Sequence, residues 1–255
     1  MAPLRVLITN DDGYQAPGIR ALAPAIAELG HEVLVVAPMD DQSGVGSARA
    51  GMVGRPIRTA LEEEGGITYH GIDGTPALAV TLASVGAFGA APDLVVSGIN
   101  RGHNIGVPIF HSGTVAAGLT AAGQGTSAVA ISIDSDDPDH WATSAAVAAE
   151  ALTWIVPEPA GTVLTINVPD RPLDQLAGVR HASLAPIKRS RISGATAPTG
   201  EPMIVLEPRR PDPVPDSDEA LLAAGFVTVT PIIGIREVKD DAAATALAKR
   251  LSSYR

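Results

Sequence analysis

The sequence predicts an α/β fold built on a doubly wound, mostly parallel sheet. Three observations lead there. Short runs rich in Val, Ile and Leu, the mark of strands buried on both faces, recur through the first two thirds of the chain. Segments with apolar residues at helical spacing alternate with them, and the links between are short. A strand–helix–strand order with short links closes as a right-handed crossover, which makes the strands parallel.

Arg5–Thr9 is the first buried run. Pro17–Leu29 follows with Ile19, Leu22, Ala23, Ile26 and Leu29 on one helical face; Gly30 stops it, and Pro24 is a site for a kink. Glu32–Ala37 is the second strand, closed by Pro38. Thr75-Pro76 then opens a helix that runs to about Gly86, with threonine as N-cap and proline in the first helical position. Asp93–Ser97 is the third strand, Thr114–Gly123 an alanine-rich helix, and Ala128–Ile133 the fourth strand. Trp141–Val156 is the next helix and Thr162–Val168 the fifth strand, so residues 1–170 read as a Rossmann-like domain suited to metal and phosphate. After Pro169 many prolines break up the apolar runs. Residues 171–255 read as a less regular, β-containing C-terminal lobe. In it, Met203–Leu206 and Phe226–Ile233 are strands, Glu207–Asp218 a proline-rich, acidic exposed loop or flexible linker, and Asp240–Leu251 a terminal helix.

Composition narrows the function. Of 255 residues, 45% are hydrophobic and 18% charged, enough to bury a sizeable core; aromatics are only 3%, so aliphatic side chains do the packing. A net charge of -10 argues against affinity for nucleic acid polymers or anionic membranes, and an anionic small substrate would need a local cation or a ring of N–H donors. The absence of cysteine excludes disulfides, zinc–thiolate sites and a thiol nucleophile. The start M-A-P-L-R-V-L-I lacks the build of a signal peptide and no apolar run is long enough to span a bilayer, so the expected location is the cytoplasm.

In open α/β sheets ligands bind beyond the carboxyl ends of the strands. There the chain delivers Asn10-Asp11-Asp12-Gly13, then Met39 to Gly46 with Ser43, then Ser97 to Gly106 with Asn100 and Asn104, then Asp134 to Asp137. Adjacent carboxylates on a straight strand point to opposite faces, but Gly13 permits a bend that lets Asp11 and Asp12 face one ion. With a hydroxyl from Ser43 and an amide oxygen from Asn100 they form an oxygen-only set suited to a hard cation such as Mg²⁺ or Mn²⁺; the doublet alone reads more readily as a β-turn. His111-Ser112-Gly113-Thr114 feeds a helix whose N-terminus is either an anion site or a simple cap. The glycines of Asn100 to Gly106 match neither a Walker loop nor a dinucleotide fingerprint.

The ordered set T-N-D-D-G-x-x-A-P-G-I, V-V-A-P with a later Q-S-G, D-G-T-P, V-V-S-G-I-N-x-G-x-N-x-G and S-G-T-V-A-A-G closely resembles the SurE survival-protein family. The resemblance runs from about Leu4 to Val168 and more loosely beyond. It implies a divalent-metal-dependent phosphohydrolase of nucleoside 5′- and 3′-monophosphates. Asp11, Asp12, Ser43 and Asn100 fall on the family's ligands for one metal ion, Mg²⁺ or Mn²⁺, with Ca²⁺ a substitute in a crystal. Asn10, Asn104, Ser112, Gly113 and Thr114 fall on its phosphate pocket. Asp11 and Asp12 are then the catalytic pair, either by activating water or with one as nucleophile. The family also implies a homodimer or homotetramer with exchanged C-terminal extensions, for which an exposed Phe226–Ile233 strand would serve. The chain departs from the family at Leu78, where an acid is usual, at His111, usually Tyr, and at Thr120, often Glu; these bear on substrate preference, with His111 a candidate pocket residue. Another phosphomonoester substrate, such as a sugar phosphate, or a non-catalytic nucleotide-binding module are the alternatives.

Overall fold

A computed structural model of the chain describes residues 2–48, 54–155, 161–186, 190–197, 199–208, 214–234 and 247. The expected alternation is present: β1 (Arg5–Thr9), α1 (Pro17–Ala27), β2 (Glu32–Pro38), β3 (Thr59–Glu64), β4 (Ile67–Ile72), α2 (Pro76–Ser84), β5 (Leu94–Arg101), α3 (Gly113–Gly123), β6 (Ala128–Asp134), α4 (Trp141–Ile155) and β7 (Thr162–Pro169). Then come β8 (Val179–His181), the antiparallel pair β9 (Ser190–Thr196) and β10 (Pro202–Pro208), α5 (Asp218–Ala223) and β11 (Val227–Ile233). Nine strands form one sheet in the order β3-β4-β2-β1-β5-β6-β7-β11-β8. The strands β4, β2, β1, β5, β6 and β7 run parallel, while β3 and β11 pair antiparallel to their neighbours β4 and β7.

Each face of the sheet is sealed by two helices. Ile19, Leu22 and Ile26 of α1 and Leu152 and Ile155 of α4 pack on Val6, Ile8, Ile131 and Ile133. On the opposite face, α2 and α3 cover Leu7, Val36 and Val95 through Val80, Ala83, Val115 and Ala121. Small residues let the helices approach closely. A Cβ on Gly18 would lie 2.0 Å from the Ile99 carbonyl oxygen, so the start of α1 rests directly on β5. Pro24 sits inside α1 without ending it, and Thr75 caps α2 by accepting the Leu78 N–H.

Four readings of the sequence change. The β3–β4 hairpin was not foreseen, because Thr59–Glu64 is an exposed, Glu-rich edge strand with neither alternation nor β-propensity. Its signal was the Gly65-Gly66 turn, with φ of +59° and +79°. β5 is longer than Asp93–Ser97: it continues to Arg101 past an irregularity between Ser97 and Asn100. Phe226–Ile233 is not an exposed strand, since β11 lies between β7 and β8 with Val227 and Thr228 fully buried. Glu207–Asp218 is not wholly an exposed loop, since β10 runs to Pro208 and Asp218 opens α5 at 1% exposure. The expected helix Asp240–Leu251 lies outside the described residues apart from Leu247. Among the described residues no helix is long and apolar enough to cross a membrane.

Candidate active site

The order of strands reverses direction at β1: β2 and β4 are laid down on one side, β5, β6 and β7 on the other. The carboxyl ends of β1 and β5 therefore flank the crevice where α/β sheets take ligands. Asp11 and Asp12 leave β1 there, and Asn100 is the penultimate residue of β5.

Asn10 shapes the turn that carries the two aspartates. Fully buried, it donates from Nδ2 to the Gly13 carbonyl at 2.9 Å and accepts the Gly13 N–H on Oδ1 at 3.2 Å. Gly13 itself has φ +113°, a conformation that side chains resist. Three other loops are tied to this turn. The Asp11 carbonyl accepts the Gln42 N–H at 2.8 Å, bringing in the loop after β2. Asp12 Oδ2 accepts the Arg101 N–H at 3.1 Å, bringing in the end of β5. Asp11 Oδ1 accepts the Thr114 hydroxyl at 2.5 Å, and a Cβ on Gly113 would lie 2.7 Å from Asp11 Oδ2, so the carboxylate lies against the first turn of α3.

Asp11 is 3% exposed and Asp12 partly buried. Burial raises both acids, Asp12 to about 6, although hydrogen bonds from Thr114 and Arg101 oppose the shift. Asp41 adds negative charge nearby. It is itself held below the ordinary range because it accepts the Ser43 N–H and hydroxyl at 2.7 and 2.6 Å. Adjacent buried carboxylates are unfavourable without a compensating cation. The donor set fits a hard one: two carboxylates, the Ser43 hydroxyl, whose lone pairs stay available while its proton goes to Asp41, and Asn100, whose Nδ2 donates to the Gly102 carbonyl at 2.6 Å and leaves Oδ1 as the potential ligand. Among the described residues no group of three or more His, Asp or Glu side chains suits a metal, so neutral oxygens would have to complete the shell.

Of the phosphate candidates, Gly113 and Thr114 meet Asp11 directly. Ser112 caps α3 with Oγ accepting the Val115 N–H, and the Gly113 and Thr114 N–H groups lie in the first turn that follows. Asn104 is held on both sides: its N–H and carbonyl bond the Asn167 side chain at 2.7 and 2.9 Å, and its Nδ2 donates to Ser132 Oγ at 2.9 Å. His111 is exposed, and its ring stacks on Phe110 with centroids 3.8 Å apart. Leu78 is buried in the core under α2, and Thr120 bonds back to the Ala116 carbonyl within α3. Sequence reasoning missed Asp41, Asn167 and Asp218. Asp41 could have been read from its place beside Ser43; the other two are joined to the site only by contacts far apart in the chain. The large apolar groove of about 850 Å³ is elsewhere, between α4 and the face of β7, β8 and β11. Its walls are mostly apolar, with Glu150 and His181 among the lining residues.

The chain is similar to known proteins over most of its length. Residues 6–191 match the family model for survival protein SurE. A 5′-nucleotidase SurE from Nitrosococcus oceani is 38% identical over 234 residues, covering 90% of this chain and 91% of the relative. One from Solidesulfovibrio magneticus is 39% identical and covers 97% and 98%. A 5′/3′-nucleotidase SurE from Serratia proteamaculans is 38% identical, covering 90% of each. The crystal structure of the SurE protein from Aquifex aeolicus superposes with a TM-score of 0.79 at 27% identity, covering 96% of this chain and 99% of that one.

Proposed function

The chain belongs to the SurE family, and on that premise we propose that it is a divalent-metal-dependent phosphomonoesterase hydrolysing nucleoside 5′- and 3′-monophosphates to nucleoside and phosphate. The observation that carries this reading is the contact of the buried Asp11 carboxylate with the first turn of α3, beside Asp12, at the switch point of the sheet. It supports a reading in which the two carboxylates hold a cation beside the N–H donors of that turn, the two things a phosphomonoester needs.

In this reading Asp11 and Asp12 bind one Mg²⁺ or Mn²⁺ with Ser43 Oγ and Asn100 Oδ1 as further ligands. The ion supplies Lewis-acid polarisation of the phosphoryl group and offsets the charge that develops on it. The N–H groups of Gly113 and Thr114 and the side chains of Ser112 and Asn104 orient the phosphate oxygens. The Thr114 hydroxyl fixes the Asp11 carboxylate, so that its second oxygen keeps one direction. The chain assembles as a homodimer or homotetramer in the cytoplasm.

A substrate panel tests the reading. Nucleoside 5′- and 3′-monophosphates and sugar phosphates are assayed for phosphate release in EDTA, Mg²⁺ and Mn²⁺. Release from the nucleotides, abolished by EDTA and restored by metal, is expected. Metal-independent release, or none from any nucleotide, overturns it. Light scattering at micromolar concentration tests the assembly; a clean monomer refutes it.

A further inference from the structure

We propose that Asp218, from the C-terminal part of the chain, is a positioning residue for the phosphate pocket. The inference rests on the nucleotidase reading above. Asp218 is 1% exposed and, although it stands at the start of α5, its carboxylate is not turned to solvent. Oδ2 accepts the Gly106 N–H at 2.6 Å, while Oδ1 accepts the Ala185 N–H at 2.9 Å and the Glu219 N–H at 2.8 Å. The joint is completed by the Ala185 carbonyl, which accepts the Val107 N–H at 3.0 Å. It is tight: Gly106 has φ +67°, and a Cβ there would lie 2.7 Å from the Ala185 carbonyl oxygen.

What the joint holds is the path between the two halves of the phosphate pocket. Asn104 lies two residues before Gly106, and the 3-10 turn Val107–His111 leads from Gly106 straight to the Ser112 cap of α3. Asn104 has its own clamp from Asn167 of β7. Gly106 is pinned by Asp218. A charged acceptor shared by three N–H groups is a strong clamp, and a buried carboxylate persists only where such donors compensate it. The helix cap does not need it, because Ser217 Oγ already accepts the Ala220 N–H. The carboxylate of Asp218 thus does work that α5 itself does not require.

The test is Asp218→Asn. The amide oxygen can keep Ala185 and Glu219, but the amide NH₂ then faces the Gly106 N–H, donor against donor. Expected are a rise of about 10- to 100-fold in KM for a nucleoside 5′-monophosphate and in the inhibition constant of inorganic phosphate, with Mn²⁺ affinity by calorimetry unchanged within about twofold. Ser217→Ala, which weakens the same helix without touching Gly106, should lower the melting temperature and leave the phosphate constant as in the wild type. Gly106→Ala attacks the joint from the loop side and should reproduce the selective loss. An unchanged phosphate constant in folded Asp218→Asn or in Gly106→Ala overturns the proposal, as does an equal loss in Ser217→Ala. A wild type that binds neither metal nor phosphate overturns the nucleotidase reading first, and the inference with it.

Discussion

Gly113→Ala sets two effects of opposite sign against each other. Gly113 is the first residue of α3 and lies outside the left-handed region, so alanine fits its backbone. Helix propensity alone would make the variant more stable by at most about 1 kcal/mol. The new Cβ, however, would stand 2.7, 2.8 and 3.0 Å from Oδ2, Cβ and Cγ of Asp11, about 0.7 Å inside ordinary contact at the worst point. Asp11 cannot swing aside freely: it is 3% exposed, its carbonyl holds Gln42 and its other oxygen holds Thr114. Overpacking of this kind costs about 1–3 kcal/mol. The clash outweighs the propensity gain, and a net loss of about 1 kcal/mol, or roughly 2–4 °C in melting temperature, is expected in EDTA. The functional loss should be larger. A ligand oxygen displaced by about 0.7 Å is a large fraction of a metal–oxygen bond of about 2.1 Å. Calorimetry should show Mn²⁺ binding weakened at least about tenfold, and phosphate release should fall about 100-fold. A Gly113→Ala protein that melts higher than the wild type and keeps its metal affinity would refute the claim that Asp11 is seated against α3.

Asp11→Asn should remove Mn²⁺ binding and nearly all turnover; retained metal-dependent turnover would show that the ligand charge lies elsewhere. The same variant should melt higher than the wild type in EDTA, because it deletes an ionised group that burial penalises. Acidification should act with opposite sign on the apo and metal-loaded forms. Asp12 has a folded value of about 6 against 3.8 unfolded. From pH 7 to 5 the folded apo protein therefore takes up a proton that the unfolded chain does not, and Asp12 alone adds about 1 kcal/mol of stability. Over the same window protons compete with Mn²⁺, so metal affinity falls and the metal-induced rise in melting temperature shrinks. Melting curves at both pH values, in EDTA and in Mn²⁺, check both signs. Gly18→Ala should destabilise by more than about 3 kcal/mol, because its Cβ meets rigid backbone at 2.0 Å; a melting temperature within a degree of wild type would contradict that packing.

The legible parts of the fold were those where local pattern and burial agree. Val6, Leu7 and Ile8 form a continuous apolar run because β1 lies between β2 and β5, covered by helices on both faces. Thr75-Pro76 announced α2 because cap and first helical position are local choices. β3 was illegible for the opposite reason: an edge strand with one neighbour need not be apolar. Asp218 was misjudged because the prolines and acids around it dominate the composition of that stretch. Its partners Gly106 and Ala185 are 112 and 33 residues away. The candidate site divides in the same way. Asp11, Asp12, Ser43 and Asn100 stood out as oxygen-bearing residues after strand ends. That Gly113 must be glycine because Asp11 lies on it is a contact between loops, and no spacing along the chain encodes it.

The electrostatics of the cup impose an order on its use. At an effective dielectric of about 20, two unit charges 5 Å apart interact by about 3 kcal/mol. A phosphate dianion arriving at ionised Asp11 and Asp12 meets several such repulsions, with Asp41 nearby and a net charge of -10 over the molecule. The first turn of α3 offers in return only about half a positive charge and its N–H groups. That is too little to reverse the sign. A divalent cation held by the two carboxylates would offset both of their charges. On the proposed reading metal would therefore bind before phosphate; the raised proton affinity of Asp12, caused first by its burial and then by the neighbouring Asp11 and Asp41 charges, belongs to the same setting. On that reading the cup would discriminate against free phosphate and nucleotides until loaded, and the helix donors would then act on orientation rather than on attraction.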